Sequence, residues 1–359
     1  MYILEGSITR LLWVYLSEQH ASYPPLGLGV AYPNCQQNFC ATNVEWLRLV
    51  GYRSDMSNVV LRQSPDRAII LHNETCPYCG TALTRDTRTK EHVIGRRFVP
   101  RGSLHQHWNL IVWACEPCNR RKAELEDDIS AISMQPDPWG AHARDDIRLR
   151  NEAERKAKTK SRRSGKPVKD SHEQFSISHT FGGAELTFSF TSAPQADETR
   201  IIELVRMQVM AFFYWITIQP GEVNGRFCQG SFFPLQPVRR ADWGNEQLRF
   251  FMAETKGWDL RIHAVTADGY FKLAIKKHID ELIWSFAVEW NESYRIVGFF
   301  GDTAGLIKLR DRLPKLAMQT IHTKGDDWVR HRREVPLSDQ DDTLFDPPAD
   351  AIDQSAAGE

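Results

Sequence analysis

The sequence predicts an α+β protein, and three observations carry that expectation. Phe271, Leu273 and Ile275 alternate with Tyr270, Lys272, Ala274 and Lys276, and Trp284, Phe286, Val288 and Trp290 alternate with Ser285, Ala287 and Glu289. That period of two is the signature of half-buried strands in an antiparallel sheet. FSISHTFGGAELTFSF, from Phe175, reads as a β-hairpin with Gly182-Gly183 at its turn. Thr199 to Ile218 reads as a helix, with Ile202, Val205, Val209, Phe212, Phe213 and Ile216 near one face.

Taken in chain order, residues 1–66 mix short apolar runs with loop signals and suggest no fold. RAIILHN, from Arg67, is a short β-type run, and Glu91 to Val99 and Trp108 to Ala114 are the next two strand candidates. From Asn119 the chain is rich in helix formers and free of Gly and Pro until Pro136, which with Pro138 ends the helix. Residues 136–172 read as a helix fraying into a flexible basic linker, 173–330 as a separate α+β domain with an antiparallel sheet, and 331–359 as an acidic, disordered tail.

At 359 residues the chain has room for two domains and a small third, and a 42% hydrophobic fraction suffices for a sizeable core. The net charge of -1 hides an asymmetry. Arg155 to Lys169 carries eight cations and no acid, whereas Val335 to Glu359 carries seven acids and no Lys or Arg. The longest apolar run, MQVMAFFYWITI from Met207, is too short to cross a bilayer and is more simply a buried helix. The expectation is a soluble, cytoplasmic protein that does not engage membranes.

Seven cysteines are too few and too clustered for a disulfide framework. Four form two C-x-x-C pairs, Cys76/Cys79 and Cys115/Cys118, which converge readily on a tetrahedral zinc ion. Cys35 and Cys40 form a looser pair read as free thiols, and Cys228 is read as a small buried hydrophobe. The two C-x-x-C pairs lie further apart than in a simple zinc ribbon. The intervening chain must therefore leave the zinc site and return, and it contains EHVIG at Glu91 and WNL at Trp108.

CPYCG at Cys76, EHVIG at Glu91, NL at Asn109 and CEPCNRRK at Cys115 together resemble the HNH endonuclease family in its zinc-clasped ββα-metal form. The resemblance covers residues 67–132 and implies an HNH nuclease domain over 67–135. By position it implies that His92 is the general base and that Asn109 accepts a hydrogen bond from the other ring nitrogen of His92. It makes Glu91 and Asn119 ligands of one Mg2+ or Mn2+, and Cys76, Cys79, Cys115 and Cys118 ligands of a structural zinc. Lys122, one helical turn from Asn119, would reach the same phosphate.

Phosphodiester hydrolysis needs an activated water, a cation on the scissile phosphate and a stabilised leaving oxygen. Imidazole titrates near neutrality and suits the first task; carboxylate and amide oxygens suit a hard cation. Two departures stand out: Glu91 where the family more often has Asp, and Gly95 where proline is common. Glu91 and His92 are also adjacent, so in a regular strand they point to opposite faces.

Arg96, Arg97, Arg120 and Arg121 are expected on a phosphate backbone, and Lys156, Lys158, Lys160, Arg162 and Arg163 are expected to grip it from the linker. His72, His105 and His107 are read as solvated loop histidines. The expected function is a metal-dependent endonuclease acting on DNA, as an anti-phage or restriction-type effector in bacteria. The second domain then chooses the target or binds a protein partner. The alternatives are a zinc-clasped nucleic-acid-binding protein without turnover, and an RNA-cleaving or strand-nicking relative.

Overall fold

The computed structural model of the protein describes residues 68–105, 107–136, 141–171, 173–181, 184–192, 198–324 and 327–346, together with two short strands, β1 (Tyr15–Leu16) and β2 (Val59–Leu61). Cys35, Cys40 and the remainder of residues 1–66 lie outside them. The chain is mixed α and β.

The first sheet contains β3 (Ile69–Ile70), β4 (Arg88–His92) and β5 (Leu110–Cys115) in the order β3-β5-β4, with β3 parallel and β4 antiparallel to β5. The strand expected over 91–99 instead ends at His92. Its physical cause is Asn109, whose side chain takes over the Ile94 backbone: Nδ2 donates to Ile94 O at 2.7 Å and Oδ1 accepts from Ile94 N at 3.3 Å. Helix α1 (Glu116–Ser133) follows β5 directly and starts inside the second cysteine pair, ahead of Asn119, with Pro117 in the first turn. Proline is tolerated there because the first N–H groups of a helix have no intrahelical partner.

The segment expected to be a flexible linker is folded over residues 141–171. Helix α2 (Ile147–Ala157) is capped by Asp146, whose carboxylate accepts from Arg148 N at 2.7 Å, and it buries Leu149 and Ala153 at i, i+4 spacing. The following loop is fastened to α1, because the Asp128 carboxylate accepts from the backbone N–H groups of Arg162 and Arg163. Hairpin strands β6 (Glu173–Phe181) and β7 (Ala184–Ser192) pair in register from Glu173↔Ser192 to Phe181↔Ala184; the expected turn, 182–183, lies outside the described residues.

Helix α3 (Glu198–Ile216) precedes β8 (Ser231–Pro234), β9 (Val238–Arg239), α4 (Glu246–Glu254), β10 (Asp259–Thr266), β11 (Phe271–Lys277), β12 (Ile283–Trp290), β13 (Tyr294–Gly301) and α5 (Thr303–Arg312). The large sheet runs β2-β10-β11-β12-β13-β8, with β9 also paired to β13; β2 joins in parallel and the other described pairs are antiparallel. A small sheet joins β1, β15 (Asp327–His331) and β14 (Gln319–Lys324).

All residues of β12 and β13 are buried, so these strands are covered on both faces rather than half-buried. Phe213 of α3 meets Trp284 and Phe300 edge-on, with ring centres 5.1 and 5.2 Å apart. On the opposite face Ala287, Val297 and Phe299 pack with Leu248 and Phe251 of α4 and Leu306 and Leu309 of α5. The alternation in the sequence therefore separates a face of large apolar side chains from a buried face of smaller and paired charged ones, and does not mark exposure to solvent.

Nor are the two expected domains separate. Phe98 packs edge-on against Trp290 at 5.2 Å, and Trp108 against Phe212 at 6.2 Å, within a core that includes both halves. Trp108 Nε1 donates to Val265 O at 3.0 Å, and Thr266 Oγ1 donates to Trp108 O at 2.7 Å. Among the described residues no helix is long and apolar enough to cross a membrane.

The acidic C-terminal segment is docked as far as residue 346, contrary to its expected disorder. Asp342 forms a forked pair with the Arg295 guanidinium, one arm being Nη1 to Oδ1 at 2.8 Å, and Leu344 is buried in the second core. Arg295 is itself buried, lying 3.4 Å from the Trp243 ring centre and 2.8 Å from Glu289. Removing one partner of a buried ion pair costs about 3–5 kcal/mol. Asp342→Ala is therefore expected to lower the unfolding free energy by about 3 kcal/mol in a urea titration, and a midpoint unchanged from wild type would show that the segment does not brace the sheet.

Candidate functional site: a thiolate clasp beside a basic groove

The four sulfur atoms of Cys76, Cys79, Cys115 and Cys118 lie within 4.8 Å of one another. Zinc–thiolate bonds of about 2.3 Å in a tetrahedron place sulfurs roughly 3.8 Å apart, and Cys79 and Cys115 stand at 3.6 Å. The donor set and its spacing fit a structural metal ion such as zinc. Locally the first pair sits on a tight turn, in which Gly80 N donates to Cys76 O at 2.8 Å with Gly80 at φ +77°. That left-handed conformation suits glycine. The second pair straddles the β5–α1 junction, so a shared ion would fix where the helix begins. Protons shared within the cluster shift the thiols apart: Cys118 and Cys76 pull Cys79 far down, while Cys118 is pushed far up. Cys228 is half-buried and its thiol is raised to about 11 by burial.

Glu91 and His92 diverge, as their adjacency in a strand requires. Glu91 is buried against α1, where Lys122 Nζ lies 2.7 Å from its Oε1 and 2.5 Å from Glu126 Oε1, and donates to His92 O at 3.1 Å. Lys122 is wholly buried, so it does not reach a phosphate as the sequence suggested. Burial lowers its affinity for a proton, but the Glu126 and Glu91 carboxylates outweigh that and hold it above the ordinary lysine range. With two carboxylates to one ammonium, burial raises Glu126 to about 7, partly offset by Lys122.

Glu126 Oε1 also accepts from Gly95 N at 3.0 Å, and a Cβ on Gly95 would lie 2.2 Å from Glu126 Oε2. The residue at 95 thus needs an N–H, which proline lacks, and no side chain. Glu126 follows Lys122 by four residues and Asn119 by seven, so its place on this helix face was legible from spacing and was missed.

Asn119 Nδ2 donates to Thr89 Oγ1 at 2.9 Å, on the same side of β4 as Glu91. Glu91 and Asn119 do not offer a ready Mg2+ or Mn2+ site in this arrangement, because the carboxylate already holds a buried cation. Asn109 does not orient His92 either; both ends of its amide are spent on the Ile94 backbone.

His92 faces the other way, into a groove of about 470 Å³ lined also by Arg96, Arg101, His105, His107, Asn109 and Ile111. Burial, with Arg96, Lys90 and Lys122 nearby, pushes its imidazole down to about 4, so the ring is neutral at physiological pH. Its Nε2 is buried without a hydrogen-bond partner. No motif marks Arg101 in the sequence, and His105, which reads there as a solvated loop histidine, belongs to the groove lining.

The other expected phosphate contacts divide. Arg96, Arg97, Lys158, Lys160, Arg162 and Arg163 are exposed, as is Arg120, whose guanidinium lies 3.4 Å from Glu116. Arg121 is committed to Glu203 of α3, with Nε at 2.8 Å and Nη2 at 2.5 Å. Lys156 is buried with Nζ on Ser130 Oγ at 2.6 Å and is withdrawn from the set. His72 is exposed, as expected.

Comparison with family models, curated proteins and solved structures gives no match to this chain.

Two expectations follow. Purified without added metal, the protein should carry about one zinc per chain by elemental analysis, and Cys115→Ser should lose the zinc and melt at a lower temperature, since metal binding in such sites is largely folding free energy. Lys122→Met, which leaves two buried carboxylates unpaired, should destabilise the protein by about 3–5 kcal/mol in denaturant unfolding. A variant as stable as wild type would mean that the triad is not held as described.

Proposed function

We propose that the chain is an HNH-type endonuclease that hydrolyses phosphodiester bonds of DNA. The observation that supports this reading most directly is the position of His92. The imidazole ends a strand that is followed, through a loop and a second strand, by a helix clasped with four cysteines, and it opens onto a groove whose charged lining is cationic. Arg96 and Arg101 suit a phosphodiester, because guanidinium forks match phosphate oxygens. His92 takes the proton of the attacking water, the water oxygen bonds to phosphorus, and the leaving oxygen departs with a proton from solvent. Zinc held by Cys76, Cys79, Cys115 and Cys118 would fix the start of α1 at the end of β5 and supply no chemistry to these steps.

The resemblance to HNH enzymes implies a divalent ion on Glu91 and Asn119. Lys122 occupies Glu91 instead, and that observation favours the second reading, a zinc-clasped DNA-binding protein without turnover.

One experiment separates the two. Supercoiled plasmid is incubated with wild type or His92→Ala in Mg2+, Mn2+ or EDTA, and binding is measured in parallel. The nuclease reading expects wild-type cleavage that His92→Ala reduces by about 10² to 10⁴, with DNA binding and zinc content retained. Binding with no cleavage in any metal leaves the non-catalytic reading. Cleavage undiminished in a folded His92→Ala protein removes His92 as the base.

The exposed cations after α2 add a separate expectation. Changing Lys158, Lys160 and Arg162 to Gln should weaken binding to all duplex sequences alike. It should also flatten the log-log salt dependence by about 0.9 for each phosphate no longer neutralised, measured by anisotropy at several salt concentrations.

A further inference from the structure

Helix α1 covers one face of the three-stranded sheet, and the other face turns outward. Pairing puts Ile70 beside Ile111, Ile111 beside His92, and Lys90 opposite Trp113. Paired residues share a face and neighbours along a strand alternate. Arg88, Lys90 and His92 of β4 therefore project together with Ile111 and Trp113 of β5 and Ile70 of β3. Glu91, Leu110 and Val112, on the opposite face, are buried. The outward face starts in the groove, which His92 and Ile111 line, and leaves it past Lys90 towards Arg88.

That face has a charged edge and an apolar one. Arg88 and Lys90 are exposed, and neither side chain has an acidic partner or a hydrogen bond among the described residues. The Arg88 guanidinium lies instead 4.4 Å over the Trp113 ring centre. A guanidinium held on an aromatic face keeps its N–H groups for an acceptor. Lys90 is near enough to His92 to help hold its imidazole neutral. On the far strand Ile70 is 46% exposed. No acid stands at the outward positions of the three strands. His107 adds nothing to this surface, since its Nε2 is held on Asp268 Oδ1 at 2.8 Å and its Nδ1 is buried.

Residues at i and i+2 of a strand stand about 7 Å apart, near the step between successive phosphates of one nucleic-acid strand. Neighbouring strands lie about 4.8 Å apart, so the side chains of β5 and β3 run about 5–10 Å from the cation row. A single strand presents the same order, with phosphates along one side and uncovered bases along the other. A duplex hides its bases and would leave the apolar edge bare. We infer that the outward face of the sheet binds an unpaired DNA strand, with Arg88 and Lys90 on the phosphates beside the one at His92. Trp113 positions Arg88, and Ile70 lies under the sugars and bases. The inference rests on the nucleic-acid reading above and narrows its substrate to single-stranded or locally unpaired DNA.

The test is an anisotropy titration of the full chain, without added divalent metal, against a labelled single-stranded DNA oligonucleotide and the duplex of the same sequence. Each is measured at several salt concentrations, with thermal melting of every protein. Wild type should bind the single strand more tightly than the duplex. Arg88→Gln and Lys90→Gln should each flatten the log-log salt dependence on the single strand by about 0.7, whereas Lys308→Gln, exposed on α5, should leave it unchanged. Trp113→Leu should weaken single-strand binding about two- to fivefold, the scale of an exposed cation–π contact, and Trp113→Phe should restore most of the loss. A preference for duplex, or unaltered slopes in the folded Arg88 and Lys90 variants, overturns the inference and leaves the nucleic-acid reading intact. Failure of wild type to bind either DNA at low salt overturns both.

Discussion

A single ammonium group withdrawn from water sets the geometry of the first module. Lys122 lies between Glu91 of β4 and Glu126 one turn along α1, and donates to the His92 carbonyl. An unpaired charge at such depth costs several kcal/mol, so the three side chains and the backbone they touch can settle in few other ways. Helix position and the conformation around Gly95 follow from satisfying that charge. The carboxylate pair holds the helix to the strand from one side, and the thiolates tie its start to the first knuckle from the other.

This arrangement also explains how two adjacent residues come to serve different environments. Glu91 belongs to the packed interior between strand and helix, whereas His92 belongs to the groove. A dication at Glu91 would have to displace an ammonium already at hydrogen-bond distance, so metal binding there and packing would compete for one carboxylate. The neutral imidazole is in the form a base requires, and burial beside cations keeps it so.

The sequence was most readable where chemistry is local. Two C-x-x-C pairs announced the thiolate cluster, and period-two runs located β11 and β12. Apolar spacing gave α3 to within two residues at its C-terminal end. Reading failed where partners are distant. The basic run after Arg155 looked like a tether because its charges are conspicuous, yet the residues that fold it are Leu149, Ala153 and the distant Asp128. Lys122 is expected on the phosphate and Asn109 on the His92 ring because motif position says nothing about which side of a strand a helix covers. His107 looked like an ordinary loop histidine, and its carboxylate lies 161 residues further along the chain.

The docking of the C-terminal segment has a consequence for how the protein is made. Chains emerge from synthesis N-terminal end first, so β12 and β13 can pair while Arg295 still has Glu289 but lacks Asp342, and while the space filled by Leu344 is open. The sheet is completed by residues that arrive after all of its strands. A message interrupted between these points yields a product with every strand of the sheet present and a guanidinium at its centre that has lost one of its two carboxylates, which cellular quality control can recognise through instability rather than through a missing domain.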